Sequence, residues 1–318
     1  MKAVVNDVYG PPDVLRLTEI EKPVPKDNEV LIRIYATAVN SGDVRMRKAD
    51  PFLVRFMLGL FKPRIKLMGI ILAGEVEATG KDVTRFKQGD QVYGISIKTF
   101  GAYAEYKCLP EDGVIALKPA NLSYPEAAAI PFGANTALHF LRKAKLQAGQ
   151  KILIYGASGS VGTAAVQLAK IMGAEVTAVC SSANASLVKS LGADIVIDYT
   201  KEDFSKNGKH YDIVFDAVGM SPFSGSVHSL NKNGNYIRVV HMSLPPILKG
   251  LGVSLTSSKK VIGGVAIDTV ENLNYLTGLI EAGQLKPVID RTYPLVELAE
   301  AHRYVDGGHK KGNVVITV

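Results

Sequence analysis

The sequence predicts an α/β fold, a doubly wound parallel sheet joined to a second, mostly β domain. Three observations carry this expectation. Residues 151–162, KILIYGASGSVG, run from a buried-strand pattern directly into Gly156, Gly159 and Gly162. After residue 120, apolar strands and helical segments alternate with a repeat of about 20 residues, which suits βα units in a parallel sheet. Before it, short strands separated by turn signals fill the N-terminal third.

The elements follow in order. Strands are expected at 30–39, 71–80, 91–95 and 103–109, punctuated by Gly-Asp at 89–90 and Pro/Asp/Gly at 110–113. Further strands fall at 151–155, 175–180, 195–198, 212–216, 236–240 and 260–265, with helices at 161–172, 184–191 and 222–230. In the first of these helices Val161, Ala164, Ala165, Leu168, Ala169 and Met172 recur at helical spacing, and Gly173 stops it. The tail, a helix at 269–282 and a strand at 313–318, fits no further βα unit and is expected to complete the first domain. The expected division is therefore 1–120 with 265–318, and 121–264.

Composition narrows the class. The chain has 318 residues, 47% hydrophobic and 21% charged, an ordinary globular balance. Its net charge of +7 comes from scattered basic residues without an aromatic-interleaved stripe, which argues against nucleic acid as a partner. The N-terminus shows no secretory pattern, and no apolar run approaches the roughly 20 residues of a membrane helix. Cys108 and Cys180 form neither a disulfide framework nor a metal cluster, so a reducing, cytoplasmic location is expected. Histidines 139, 210, 228, 241, 302 and 309 lack ligand spacing. Residues 51–72 are unusually apolar and carry Arg55, Lys62, Arg64 and Lys66. Two readings fit: a lid or core segment over a lipophilic pocket, favoured by the breaks at Gly59 and Pro63, and a membrane-surface anchor.

The glycine turn has a chemical and a steric reading. A strand-to-helix turn exposes backbone N–H groups at the positive end of a helix, where a pyrophosphate binds; the same glycines also serve plain close packing.

Several stretches together resemble one family: AVNSGDVRMR (38–47), AGEVEATGKDVTRFKQGDQVYG (73–94), FGAYAEY (100–106), EAAAIPFGANTALHFL (126–141), the glycine turn, SLGADIVIDY (190–199) and KKGNVVITV at the end. The chain is similar to the medium-chain dehydrogenase/reductase superfamily and, within it, to the zinc-independent quinone oxidoreductase (zeta-crystallin-like) branch. The resemblance implies a GroES-like catalytic domain from both termini, a central Rossmann domain, a cofactor in the cleft between them, and a homodimer joined through the Rossmann sheets. It also implies site residues. Asn40 matches an active-site asparagine able to donate to a substrate carbonyl, Asp43 a nearby orienting acid, and Arg45 a position where relatives carry tyrosine. Gly156, Ser158, Gly159, Ser160, Val161 and Gly162 would hold the pyrophosphate. Thr136, Gly263 and Gly264 would lie at the nicotinamide end, and Val218 and Asn313 would be further cofactor contacts. For Arg45 a solvated surface residue is an equal alternative.

The cofactor expected is NADP(H). An acid ending the second strand of such a domain selects NAD, and here that strand ends in Cys180-Ser181-Ser182-Ala183-Asn184. Ser181, Ser182 and Asn184 can meet a 2′-phosphate, and Tyr199 matches a family tyrosine lying on it; Lys189, Lys310 or Lys311 would supply the cation. The same serines also suit a helix cap. No metal is expected, because Ile70 and Ile71 occupy the His-Glu positions of zinc-dependent relatives and Asn40 that of a cysteine ligand. Without a Lewis acid, a quinone or an α,β-unsaturated carbonyl is the acceptor that places least demand on charge stabilisation. The function implied is NADPH-dependent hydride transfer to such acceptors. The rivals are an alcohol dehydrogenase-type carbonyl reductase and a non-catalytic NADPH-binding protein.

Overall fold

The computed structural model describes residues 1–52, 54–240 and 244–318; His241 lies outside them. The chain divides into two units, Met1–Phe132 with Asp268–Val318, and Gly133–Ile267.

In the first unit, β1 (Lys2–Asn6) and β2 (Leu15–Glu19) form an antiparallel pair. The long β3 (Glu29–Val39) leads into α1 (Ser41–Lys48) and the short α2 (Val54–Leu58), followed by β4 (Ile71–Thr79), β5 (Gln91–Ile95), β6 (Tyr106–Pro110) and β7 (Val114–Leu117). Helix α3 (Tyr124–Ala128) starts on a capping box, Ser123 with Glu126. The expected division places 121–132 with the βα repeat, whereas they belong to the first unit, where α3 lies on β3 and β4.

The second unit begins within helix α4 (Pro131–Lys143), at Gly133. There follow β8 (Lys151–Tyr155), α5 (Ser160–Ile171), β9 (Glu175–Cys180), α6 (Ala185–Ser190), β10 (Ile195–Asp198), β11 (Tyr211–Asp216), α7 (Phe223–His228), β12 (Leu230–Arg238), α8 (Leu244–Thr256) and β13 (Lys260–Ile262). These strands are all parallel, in the order β10-β9-β8-β11-β12-β13. Renumbered along the unit this is 3-2-1-4-5-6, the doubly wound dinucleotide order, with its switch point between β8 and β11. The run of buried residues in β8 and the buried face of α5 are what such a two-sided sheet requires. Strand β12 begins six residues before the expected 236, since the polar NKNGN hides it, and β13 ends at Ile262 before Gly263 and Gly264.

The chain then returns to the first unit through α9 (Val270–Glu281), β14 (Ile289–Pro294), α10 (Leu298–Asp306) and β15 (Asn313–Thr317). Strand β15 pairs antiparallel with β3, Val315 opposite Ala38, so the last strand sits inside the sheet ordered β14-β15-β3-β4-β5-β7. One core of this unit gathers Val4, Val39, Val44, Met68 and Tyr103 with Leu298, Val305 and Val314; another lies between Ile32, Leu72, Val92 and Ile115.

Candidate functional site

The glycine turn sits at the carboxyl end of β8, at the switch point, and each glycine has its own reason. Gly156 holds φ +77°, a conformation that costs other residues, and a Cβ there would strike Val218 at 2.7 Å. At Gly162 a Cβ would meet the Gly156 carbonyl at 2.2 Å, so this glycine lets α5 close onto the turn. At Gly159 the nearest atom is 3.7 Å away, and the missing side chain leaves open space at the N-terminus of α5. The N-cap, Gly159, has no side chain to cap that terminus, and the first turn of α5 lies at the positive end of the helix, where an anion binds. The residues present therefore fit a pyrophosphate.

Beside the turn, the Asn184 amide donates to Ser158 Oγ at 3.1 Å and Ser181 Oγ at 3.3 Å, which brings together three of the residues expected to hold the cofactor. Asn184 Oδ1 is buried without a partner. Both serine hydroxyls can donate as well as accept, so rotating the amide presents its N–H groups on that side instead. Ser182 and Tyr199 are exposed, the Tyr199 N–H donating to the Cys180 carbonyl at 3.2 Å, and Lys189 is exposed on α6. Sequence reasoning missed Asp198. It ends β10 opposite Cys180, and its carboxyl is held below the usual range by Thr200, with Ser182 contributing. The acid absent from the end of β9 thus has a neighbour on the adjacent strand. Also missed was Asp216, buried at the end of β11, which accepts from the N–H groups of Val218 (3.1 Å), Gly219 (2.7 Å) and Ser221 (3.0 Å) and so fixes Val218 over Gly156. Thr136 is buried on α4; Gly264 has φ +121°, and Gly263 accepts from Lys143 Nζ.

Lys311 and Asn313 lie in the first unit. The Lys311 N–H donates to Asp290 and the Asn313 amide to the Val288 carbonyl at 3.1 Å, while the Lys310 ammonium is engaged with the Gly312 carbonyl.

In the first unit, Asn40 follows β3 and caps α1. Its Oδ1 accepts from the N–H groups of Gly42 (2.7 Å) and Asp43 (3.1 Å), and Asp43 Oδ2 accepts from the Asn40 N–H at 3.0 Å, a reciprocal capping box. Two N–H donors can only be met by an oxygen, so the amide orientation is determined. Its Nδ2 is consequently turned away from the helix, buried and without a protein partner. Gly42 is required, because a Cβ there would stand 2.8 Å from Asn40 Oδ1. Asp43 is fully buried, and burial pushes its carboxyl up to about 7 against the Asn40 N–H and the neighbouring Tyr103 hydroxyl. Arg47, on the same helix, is buried with Nη2 3.2 Å from Asp306 on α10, and the His302 ring stands edge-on to Tyr103 at 5.6 Å. Arg45 is half-buried on α1.

Ile70 and Ile71 are buried where β4 begins, and the Ile70 carbonyl accepts from the Ser96 N–H at 2.6 Å. Among the described residues no group of three or more His, Cys, Asp or Glu side chains comes together at ligating positions. A small apolar pocket in this unit is lined by Tyr9, Met46, Leu58, Pro63, Met68 and Phe100, with Asn6 at its wall.

Comparison with known proteins agrees with this architecture. A family described as an alcohol dehydrogenase GroES-like domain matches residues 26–119, and one described as a zinc-binding dehydrogenase matches residues 191–316. The chain is 36% identical to 2-methylene-furan-3-one reductase of Solanum lycopersicum, covering 99% of this chain and 79% of that protein. It is 35% identical to the chloroplastic NADPH-dependent alkenal/one oxidoreductase of Arabidopsis thaliana, with the same coverage. Among solved structures, the quinone oxidoreductase of Coxiella burnetii superposes with a TM-score of 0.90 at 32% identity, covering 100% of this chain and 99% of that one. The Escherichia coli quinone oxidoreductase complexed with NADPH superposes at 0.85 with 26% identity, covering both chains fully. Likeness of this extent, with the sheet order and the glycine turn in place, shows that the chain belongs to the medium-chain dehydrogenase/reductase superfamily, in its zinc-independent quinone oxidoreductase branch.

Proposed function

We propose that this protein is an NADPH-dependent, zinc-free oxidoreductase that reduces quinones or α,β-unsaturated carbonyls. The observation that carries the reading is Asn40. Its carbonyl oxygen is spent on capping α1, so its buried Nδ2 is a fixed donor with no protein partner. Such a donor, oriented before substrate arrives, stabilises negative charge growing on a carbonyl oxygen without reorganisation during the reaction. One amide is a modest substitute for a metal, which suits an acceptor whose charge spreads through a conjugated system. Bound NADPH supplies the hydride equivalent. Asp43 keeps Asn40 in place through the capping box, and Arg45 adds positive charge on the same helix. Solvent supplies the proton.

For the cofactor, Gly156, Ser158, Gly159, Ser160, Val161 and Gly162 take the pyrophosphate, and Ser181, Ser182, Asn184 and Tyr199 the 2′-phosphate. Thr136, Gly263 and Gly264 take the nicotinamide end, with Val218 as a further contact and Lys311 and Asn313 as others from the first unit. The relatives named for NADPH support this choice. The protein acts as a homodimer. Two unpaired cysteines support a reducing, cytoplasmic setting, although several relatives are named chloroplastic or mitochondrial.

The test follows NADPH absorbance with ortho-quinones, para-quinones, enones and simple ketones, and compares Michaelis constants for NADPH and NADH. Turnover of quinones or enones with NADPH preferred is expected. Tight NADPH binding without turnover supports a binding protein instead, faster turnover of simple ketones the carbonyl-reductase rival, and a clear NADH preference removes the cofactor assignment.

A further inference from the structure

We propose that Phe52 and the segment 54–66 form a reversible docking surface for an anionic lipid bilayer. The segment has two faces. Leu58, Pro63 and Ile65 line the pocket with Met46 and Met68, which accounts for part of its apolar character. Four further apolar side chains face water: Phe52 is 59% exposed, Phe56 65%, Leu60 41% and Phe61 90%. Single exposed apolar residues are ordinary, but three phenylalanines and a leucine within ten residues are a patch.

The patch is built rather than left over. The Arg64 N–H donates to the Leu58 carbonyl at 2.7 Å and closes a tight loop with Leu60 and Phe61 at its tip. Gly59 makes that loop, with φ +120° and room for no Cβ, since one would stand 2.2 Å from the Lys62 carbonyl. The Tyr9 hydroxyl donates to the Gly59 carbonyl at 2.8 Å and ties the loop to the domain. Phe52 and Phe56 stand edge-to-face with centroids 6.3 Å apart, and the Arg55 guanidinium lies 5.3 Å from the Phe52 ring.

Charge selects the occupant. From Phe52 to Lys66 there are four basic residues and no acidic one. Lys62 and Arg64 flank the tip, exposed, and among the described residues neither is in an ion pair; Lys66 is paired with Asp7. A protruding aromatic tip collared by cations matches the boundary of a bilayer: rings enter the headgroup region and cations meet anionic lipid. No helix among the described residues is long and apolar enough to cross a membrane, so the attachment is peripheral.

The test sediments the full chain with vesicles of phosphatidylcholine alone and of phosphatidylcholine with phosphatidylglycerol in equal parts. Binding only to the anionic vesicles, weakened by salt, is expected. Phe56→Ser with Phe61→Ser, and separately Lys62→Glu with Arg64→Glu, each lower vesicle partitioning by at least about tenfold. Circular dichroism checks that the variants, all at exposed positions, remain folded. Equal binding to both vesicle types, none to either, or phenylalanine variants that bind as well as the native chain overturns the proposal. So does a change of oligomeric state in the phenylalanine variants without loss of vesicle binding, which assigns the patch to a second copy of the chain. The readout needs no turnover, so neither result bears on the reductase reading.

Discussion

At Asn40 two duties share one amide, and a serine separates them. Serine caps a helix as well as asparagine does, but its shorter side chain carries its one O–H beside the oxygen that meets the N–H groups of Gly42 and Asp43, and cannot place a donor where Asn40 Nδ2 stands. Asn40→Ser is expected to keep stability within about 1 kcal/mol while turnover falls on the order of 10²-fold. NADPH affinity, measured by fluorescence titration, stays level. An equal loss in binding and turnover would remove the donor role. Asp43 makes a different prediction. Its folded value, about 7, lies above the ordinary 3.8, so the fold favours the protonated form. Its stabilising contribution is complete below the unfolded value and is lost as pH rises towards 7, by on the order of 1.4 kcal/mol per pH unit. Asp43→Asn retains an oxygen for the Asn40 N–H and carries no charge. Its stability relative to the native chain should therefore climb between about pH 4 and about pH 7 in denaturant titrations, whereas a level difference would mean the carboxyl titrates normally. Both residues were named from the family motif alone. The pattern Asn40-x-x-Asp43 is also a capping-box signature, a local signal for α1 that strand periodicity does not carry.

Helices α1 and α10 meet through groups that no local pattern could pair. Arg47 and Asp306 are separated by 259 residues, and only the return of β15 to β3 brings them together. The Arg47 side chain is wholly buried, with Nε and Nη1 unpartnered, whereas Asp306 is a quarter exposed and also holds Lys48. Removing the carboxylate leaves a buried cation uncompensated; replacing the cation by a flexible apolar chain of similar length does not. Asp306→Ala should cost about 3 kcal/mol and Arg47→Met about 1 kcal/mol or less. Denaturation midpoints decide it, and the reverse order would show that Arg47 contributes net stability as an ion. The same separation explains what else stayed hidden. The apolar periods of β8 and α5 were readable because each element carries its own signal, but Asp198 became visible only once the register placed it opposite Cys180.

At the scale of the molecule, the order 3-2-1-4-5-6 leaves β13, among the described residues, as an edge of the six-stranded sheet, its Val261 N–H met by Ser254 Oγ at 3.0 Å rather than by a further strand. A sheet edge can pair with another chain, and beside the exposed Lys249 and Lys260 this one has an exposed apolar group. Leu248, Leu251 and Leu255 are exposed on α8, the helix that packs against β13, and Val265 and Ile267 are exposed just beyond it. The sequence could suggest the sheet but not this exposure, because leucines at helical spacing read as ordinary core until the neighbouring elements are placed. Two copies joined edge to edge would cover both the strand and the leucines in one isologous contact. The native chain is therefore expected to sediment at twice its own mass in analytical ultracentrifugation. Leu251→Glu with Leu255→Glu should shift it towards the monomer at the same concentration, because two carboxylates would be buried without partners in the joined form and solvated in the separate one. A native chain that sediments as a monomer, or a double variant that remains a dimer, would leave the α8 leucines needing some other partner.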